Sequence, residues 1–265
     1  MGGIPEEQRR RFLTEALEIV GAARRITLAR MAGGFARWKK ADQSFVTDAD
    51  LEVERLFRSE LARRFPGHGI VGEEFEPVNP GADFQWIVDP IDGTLSFTRG
   101  IPLFGTIVGL HHRGTPVVGI IDHPALGRCY SAAAGLGAFR DGERIRLHDL
   151  APGERVEDEP IASGDRHQFL RSDRGDAFDA LMRGHPRVRT YADCFGHTLA
   201  AEGAVGAMVD FGLRIWDLAA TQVLIEEAGG RYVCAQTLER PGEGTLYGII
   251  CGKPSVVEWL LPRFT

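Results

Sequence analysis

The chain is 265 residues long, 43% hydrophobic and 26% charged, with a formal net charge of −6. That balance excludes disorder, collagen and coiled coil, and suits one large domain or two ordinary ones packed together. The acidic sum argues against a protein that wraps nucleic acid, and no apolar run approaches the roughly 18 residues needed to span a bilayer.

The opening Met1-Gly2-Gly3-Ile4-Pro5-Glu6-Glu7 lacks the charged-then-apolar pattern of a secretory signal. Glu6 also stands where a myristoylation motif needs serine or threonine. A cytoplasmic protein is expected. Cys129, Cys194, Cys234 and Cys251 show no Cys-x-x-Cys spacing and the histidines no His-x-x-x-His pair. They read as reduced thiols and ordinary imidazoles, so a metal would have to be held by carboxylates.

Pro5-Glu6-Glu7 predicts a helix start, with proline in the first turn and acids against the dipole. Phe12, Leu13, Ala16, Leu17, Val20 and Ala23 recur at three- and four-residue spacing and predict its buried face. Ala32-Gly33-Gly34-Phe35 breaks it. Thr47-Asp48-Ala49-Asp50 predicts a capping box for a second helix, which runs along Leu51, Val53, Leu56, Phe57 and Leu61 until Phe65-Pro66-Gly67. From Gly69 the pattern changes to strands. Phe84-Gln85-Trp86-Ile87-Val88 predicts a short strand that Pro90 terminates. Apolar runs at Leu103–Leu110, Pro116–Ile121, Cys129–Ala133 and Ile145–Leu147 then predict an antiparallel meander, with turns at His112-Arg113-Gly114-Thr115 and Arg140-Asp141-Gly142-Glu143.

The acidic, weakly periodic stretch His148–Pro160 is the expected boundary between an N-terminal half, 1–150, and a C-terminal half, 151–265. Beyond it strands and helices alternate through Ile161-Ala162-Ser163, Ala177–Met182, Val188–Tyr191, a helix across His197–Glu202, and Ala207-Met208-Val209. A long helix is predicted over Asp217–Ala228, capped by Gly229-Gly230. Strands at Arg231–Cys234 and Tyr247–Cys251 and a helix near Pro254–Leu261 complete the chain.

Acids stand where secondary structure changes: Glu73-Glu74 after Ile70-Val71-Gly72, Asp89 at a strand end, Asp92 soon after, and Asp217 at a helix start. Each has an ordinary alternative, as a solvated loop, turn punctuation or a helix cap. Asp89 and Asp92 crowd one turn beside an apolar strand, where they repel and lose solvation, and a cation removes both penalties. With oxygen ligands alone the expected ion is magnesium. If Thr94 opens a helix, the N–H groups of Gly93 and Thr94 form an anion site beside those acids.

The joint pattern resembles the inositol monophosphatase family of magnesium-dependent, lithium-sensitive phosphatases, over about residues 35 to 260. The matching segments are Gly72-Glu73-Glu74, Trp86-Ile87-Val88-Asp89-Pro90-Ile91-Asp92-Gly93-Thr94-Leu95-Ser96-Phe97, Trp216-Asp217-Leu218-Ala219-Ala220 and Glu227-Ala228-Gly229-Gly230. The resemblance implies an α+β fold, a layered α-β-α-β-α sandwich of the inositol monophosphatase and fructose-1,6-bisphosphatase type. It implies two or three Mg2+ ions held by Glu73, Asp89, the Ile91 carbonyl, Asp92 and Asp217. Glu73, Thr94 and Asp92 would be catalytic, Glu73 and Thr94 activating the attacking water. The Gly93 and Thr94 amides would hold the phosphate. Lys40 and Thr47 match a mobile loop, and Asp50 would support the metals from behind. The bland reading of Lys39-Lys40 is a solvated basic turn.

Within the family, Thr94 to Thr106, Val118-Gly119-Ile120-Ile121-Asp122-His123-Pro124 and Asp193-Cys194-Phe195-Gly196 resemble the histidinol-phosphatase branch, although Phe195 replaces that branch's tyrosine. That implies histidinol phosphate as substrate and a place in histidine biosynthesis. Inositol, sugar and nucleotide 3′-phosphates are the alternatives. Asp210, seven before Asp217, matches an acid that contacts the leaving group, and its plain reading is a turn residue before Gly212. Asp193 and Arg189 are further candidates for the substrate pocket wall. The partners implied are a small phosphate monoester and a second copy in a homodimer, with neither nucleic acid nor membrane. A silent phospholigand sensor would lack one of these acids or Thr94, and all are present.

Overall fold

The computed structural model describes residues 3–40 and 44–264. The first helix, α1 (Glu6–Gly33), starts after Pro5 with Glu6 and Glu7 in its first turn and Arg30 in its last. Its buried face is Phe12, Ala16, Ile19, Val20, Ala23 and Thr27. A short hairpin follows, β1 (Arg37–Lys39) against β2 (Phe45–Thr47). Helix α2 (Asp48–Arg64) opens on the expected capping box, with Thr47 and Asp50 bonding each other's backbone.

Seven strands form the first sheet: β3 (Gly69–Gly72), β4 (Phe84–Asp92), β5 (Gly105–His112), β6 (Thr115–His123), β7 (Arg128–Ala133), β8 (Gly137–Arg140) and β9 (Glu143–Ile145), in that spatial order. Only β3 and β4 are parallel, and the rest is the predicted meander. Alternation along the strands divides the side chains. Trp86, Val88, Val108, Leu110, Val118 and Ile120 meet α1 and α2, whereas Ile87, Ile107 and Ile121 face the other way into the molecule's centre.

A short helix, α3 (Thr94–Thr98), leaves the end of β4. The rest of the chain builds a second sheet and its helices: β10 (Ile161–Ser163), α4 (Arg166–Arg171), α5 (Gly175–Gly184), β11 (Val188–Thr190), α6 (Asp193–Ala201), β12 (Ala207–Leu213), α7 (Ile215–Leu218), α8 (Thr221–Ala228), β13 (Arg231–Arg240), β14 (Gly244–Gly252) and α9 (Pro254–Leu260). The five strands lie in the order β11-β10-β12-β14-β13. Residues of α6, α7 and α8 fill the space between the sheets, and Phe169, Phe178, Leu181, Val256, Val257 and Leu260 cover the outer face of the second. The result is a five-layered α-β-α-β-α sandwich with helices inside, as expected.

Two expectations are corrected. Pro90 does not end β4, which continues to Asp92. Asp89 pairs with Ile107 and Asp92 with Gly105, so β4 carries one residue more than its partner and bulges there. A bulge tolerates proline because its N–H is not needed in the ladder. The carbonyl of Pro90 instead accepts a bond from Thr106 Oγ1 at 2.8 Å.

The long helix predicted over Asp217–Ala228 is two helices, α7 and α8, broken at Ala219-Ala220. The break seats backbone directly on the first sheet. A Cβ at Gly109 would come 2.1 Å from the Ala219 oxygen, and one at Gly119 2.6 Å from that of Ala220. His111 Nε2 bonds the Ala219 carbonyl at 3.0 Å. Close approach and a replacement partner thus offset the lost helical bonds.

Candidate active site

The acids converge where β3, β4, α6 and α7 meet. Asp89, Asp92 and Asp217 each offer a carboxylate oxygen within 4.8 Å of the others. The β4 bulge lets both Asp89 and Asp92 serve one site from a single strand. Asp89 is 2% exposed and its Oδ1 has no hydrogen-bond partner. Asp217 sits in the first turn of α7 and accepts the Arg214 N–H at 2.7 Å, so it is both cap and cluster member. Asp92 Oδ2 accepts the Cys194 N–H at 2.5 Å from the start of α6.

Glu73 follows β3, and its N–H donates to the Val88 carbonyl at 3.2 Å. Lys40 Nζ reaches Glu73 Oε1 at 2.6 Å and Glu74 Oε1 at 2.8 Å. Lys40 is therefore an ion-pair partner of the site and not a solvated turn residue. The remainder of its predicted loop, Ala41-Asp42-Gln43, lies outside the described residues. Thr47, also expected in that loop, is fully buried as the cap of α2. Its hydroxyl and N–H both bond Asp50 Oδ2. Asp50 Oδ1 lies 3.3 Å from Thr94 Oγ1, which also donates to the Ile91 carbonyl at 2.9 Å. Gly93, with φ of 77°, caps α3, so Thr94 is its first helical residue.

Burial and mutual repulsion push these acids toward their neutral forms. Asp89 and Asp92 are raised well above the usual carboxylate range, first by burial and then by the neighbouring acids. Burial raises Asp217 and Glu74 to about 8 each, with Glu73 adding to both. Asp50 goes to about 6 for the same reasons. Burial works against the Lys40 ammonium, but Glu73 and Glu74 outweigh it and raise its pKa. An orphaned buried oxygen, an all-oxygen donor set and crowded acids fit a hard divalent cation.

The predicted substrate residues separate. Asp193 joins the site: a Cβ on Gly93 would come 3.1 Å from Asp193 Oδ2, so the glycine makes room for that carboxylate. Burial raises Asp193 to about 7, with Asp210 and Asp165 contributing. Asp210 is fully buried, with Oδ2 on His197 Nε2 at 3.2 Å and Oδ1 accepting the Phe211 N–H at 3.0 Å. His197 Nδ1 in turn meets Thr221 Oγ1 at 2.8 Å. Arg189 donates to its neighbour's carbonyl, that of Val188. It lines a cavity of about 590 Å³ beside Arg187, Tyr191, Phe195 and Leu199. The roles of Cys194 and His197 were not assigned from sequence. Asp193-Cys194 stood in a motif that hinted at the first, and no sequence signal marked the second.

The five-layered fold thus gathers crowded acids at the ends of its central elements. The profile of the inositol monophosphatase family matches residues 7–261. A histidinol-phosphatase of Chlorobaculum parvum is 35% identical over 216 residues, 81% of this chain and 82% of that one. An inositol-1-monophosphatase of Rhizobium meliloti is 32% identical over 227 residues, 83% of each chain. The solved structure of the extragenic suppressor protein suhB from Bartonella henselae superposes with a TM-score of 0.84 at 25% identity, covering 96% of this chain and 98% of that one. The chain belongs to the inositol monophosphatase family.

Proposed function

We propose that this phosphatase hydrolyses histidinol phosphate, with magnesium held by Glu73, Asp89, the Ile91 carbonyl, Asp92 and Asp217. The observation that carries the substrate is the Asp193 carboxylate against Gly93. Gly93 and Thr94 are the residues whose amides would hold the phosphate, so a substrate with an ammonium close to its ester meets a carboxylate there. The similarity to a named histidinol-phosphatase supports the same reading.

When bound, two or three Mg2+ ions would neutralise phosphate charge and make water a better nucleophile. The chain's own groups do the positioning that phosphoryl transfer needs. Glu73 would take the proton of the attacking water. The Thr94 hydroxyl, between the Ile91 carbonyl and Asp50, orients that water. Lys40 orients Glu73 through their ion pair. The two halves, 1–150 and 151–265, would each supply a wall: the first the phosphate end, the second Asp217 and the leaving-group end.

The second reading is an inositol-1-monophosphatase or a related sugar or nucleotide 3′-phosphate phosphatase. Phe195 in place of tyrosine and the similarity to the Rhizobium meliloti protein favour it. A phosphate-release screen over histidinol phosphate, inositol 1-phosphate, sugar phosphates and adenosine 3′,5′-bisphosphate separates the two. A homodimer in the cytoplasm is part of the proposal, and light scattering and cell fractionation test it. Among the described residues no helix is long and apolar enough to cross a membrane.

A further inference from the structure

Helix α2 bears three polar side chains one turn apart, Asp50, Glu54 and Arg58. Asp50 reaches Thr94, as described. Glu54 is fully buried, a costly position for a carboxylate unless it is paired and hydrogen-bonded. Its Oε2 accepts the Glu74 N–H at 2.7 Å, and its Oε1 accepts the Phe75 N–H at 3.3 Å and Arg58 Nε at 2.8 Å. Arg58 continues the contact, donating to the Glu76 carbonyl at 2.9 Å and to that of Phe75 at 2.7 Å. Gly72 is part of the same joint, since a Cβ there would lie 2.1 Å from Glu54 Oε1.

These bonds act on the peptide units flanking Glu73. On one side its own N–H is held by the Val88 carbonyl, and on the other the Glu74 N–H is held by Glu54. The backbone of Glu73 is therefore fixed from β4 and from α2 at once. The same helix touches Thr94 one turn earlier, through Asp50. An α-helix rises about 1.5 Å per residue and is stiff over such a span.

We infer that Glu54 and Arg58 are positioning residues, through which α2 sets the separation of the Glu73 loop from the Thr94 turn. This rests on the reading that Glu73 and Thr94 act together on the attacking water. Arg58 and Glu54 bond the backbone of residues 74–76 and act through it.

The competing role for Arg58 is to fasten a loop for stability alone. Arg64 on the same helix is the control. It binds Glu15, Glu18 and Glu60, ties α2 to α1, and makes none of the loop's bonds described here. The test measures Mn2+ binding to the purified full chain by electron paramagnetic resonance, together with Tm, kcat and KM. Arg58→Met and Glu54→Gln are expected to weaken Mn2+ binding and lower kcat by about 10-fold or more, the range typical of groups behind a metal ligand, with KM nearly constant. Arg58→Lys, which keeps one donor, is expected to recover part of both. Arg64→Met is expected to lower Tm while leaving Mn2+ affinity and kcat at wild-type values. Arg58→Met with wild-type Mn2+ affinity and kcat overturns the inference. Should Glu54→Gln fail to fold, the two Arg58 variants decide it. A wild-type chain that binds no Mn2+ overturns the metal-dependent reading and this inference with it.

Discussion

Cys194 donates its backbone N–H to Asp92 Oδ2 at 2.5 Å, across 102 residues of sequence. The bond joins the end of β4 to the start of α6, and so ties the first sheet to the elements that follow the second sheet's early strands. One oxygen of Asp92 thus has its partner in the protein. Cys194→Ala keeps the backbone donor and removes the thiol's own hydrogen bond to Asp92, so turnover should fall by no more than a few-fold. Asp92→Asn should instead reduce it by about 100-fold or more, beyond the usual cost of a residue behind the ligands. In chelator Asp92→Asn should melt no lower than wild type, because it removes the cost of holding a buried carboxyl protonated among other acids. Calorimetry and steady-state kinetics on the two variants check this.

Metal-free protein should become less stable as pH rises from about 6.5 to about 8. The groups responsible are Asp217 and Glu74, raised by burial to about 8 each. A carboxyl raised in the folded state contributes stability that is complete below its unfolded pKa and lost as pH climbs through the folded value. Below pH 6.5 the buried His123, lowered from 6.5 to about 4, works in the opposite direction, so the upper window is the clean one. Magnesium competes with protons for the same oxygens and should raise Tm most at the alkaline end. Melting curves in EDTA and in Mg2+ across this window test both slopes. A metal-free Tm that rises with pH there would contradict the assignment.

Thr94→Ala should lose most of kcat with little change in Tm. The cap of α3 is Gly93, so the Thr94 hydroxyl is not needed to start the helix. Its bonds go to Ile91 and Asp50, both at the site. Thr94→Ser should recover much of the activity because it keeps the hydroxyl. A large drop in Tm with unchanged kcat in the folded fraction would give Thr94 a structural role instead.

Asp193→Asn should lower kcat/KM for histidinol phosphate by roughly 10- to 100-fold, given about 1.5–3 kcal/mol for a charged hydrogen bond, and Asp210→Asn, whose carboxyl is buried on His197 and the Phe211 N–H, by less. Inositol 1-phosphate offers only neutral hydroxyls there, and p-nitrophenyl phosphate nothing that uses a carboxylate, so both should lose far less. Equal losses on all three substrates from Asp210→Asn would place that residue in the framework to which His197 already binds it.

Local signals made much of this molecule legible. The α2 capping box, the Pro5 start of α1 and the tight turns of the meander depend on residues close in sequence, and they stand where the pattern puts them. What the sequence hid depends on tertiary contact. Asp217–Ala228 has continuous helical periodicity, and only the grooves at Gly109 and Gly119 make it break. Pro90 reads as a strand end because nothing nearby reveals that β5 will pair beyond it. The acids of the site were legible as a motif. Their mutual distances, the commitment of Asp92 to Cys194, and the clamp of Glu54 on the Glu73 loop join segments far apart in the chain.

The most direct test is phosphate release from histidinol phosphate and from inositol 1-phosphate, each in Mg2+ and in EDTA. The account predicts hydrolysis of both in Mg2+ alone, with the higher kcat/KM for histidinol phosphate. Higher kcat/KM for inositol 1-phosphate would contradict the substrate, and full activity in EDTA with no bound metal would contradict the role given to Glu73, Asp89, Asp92 and Asp217.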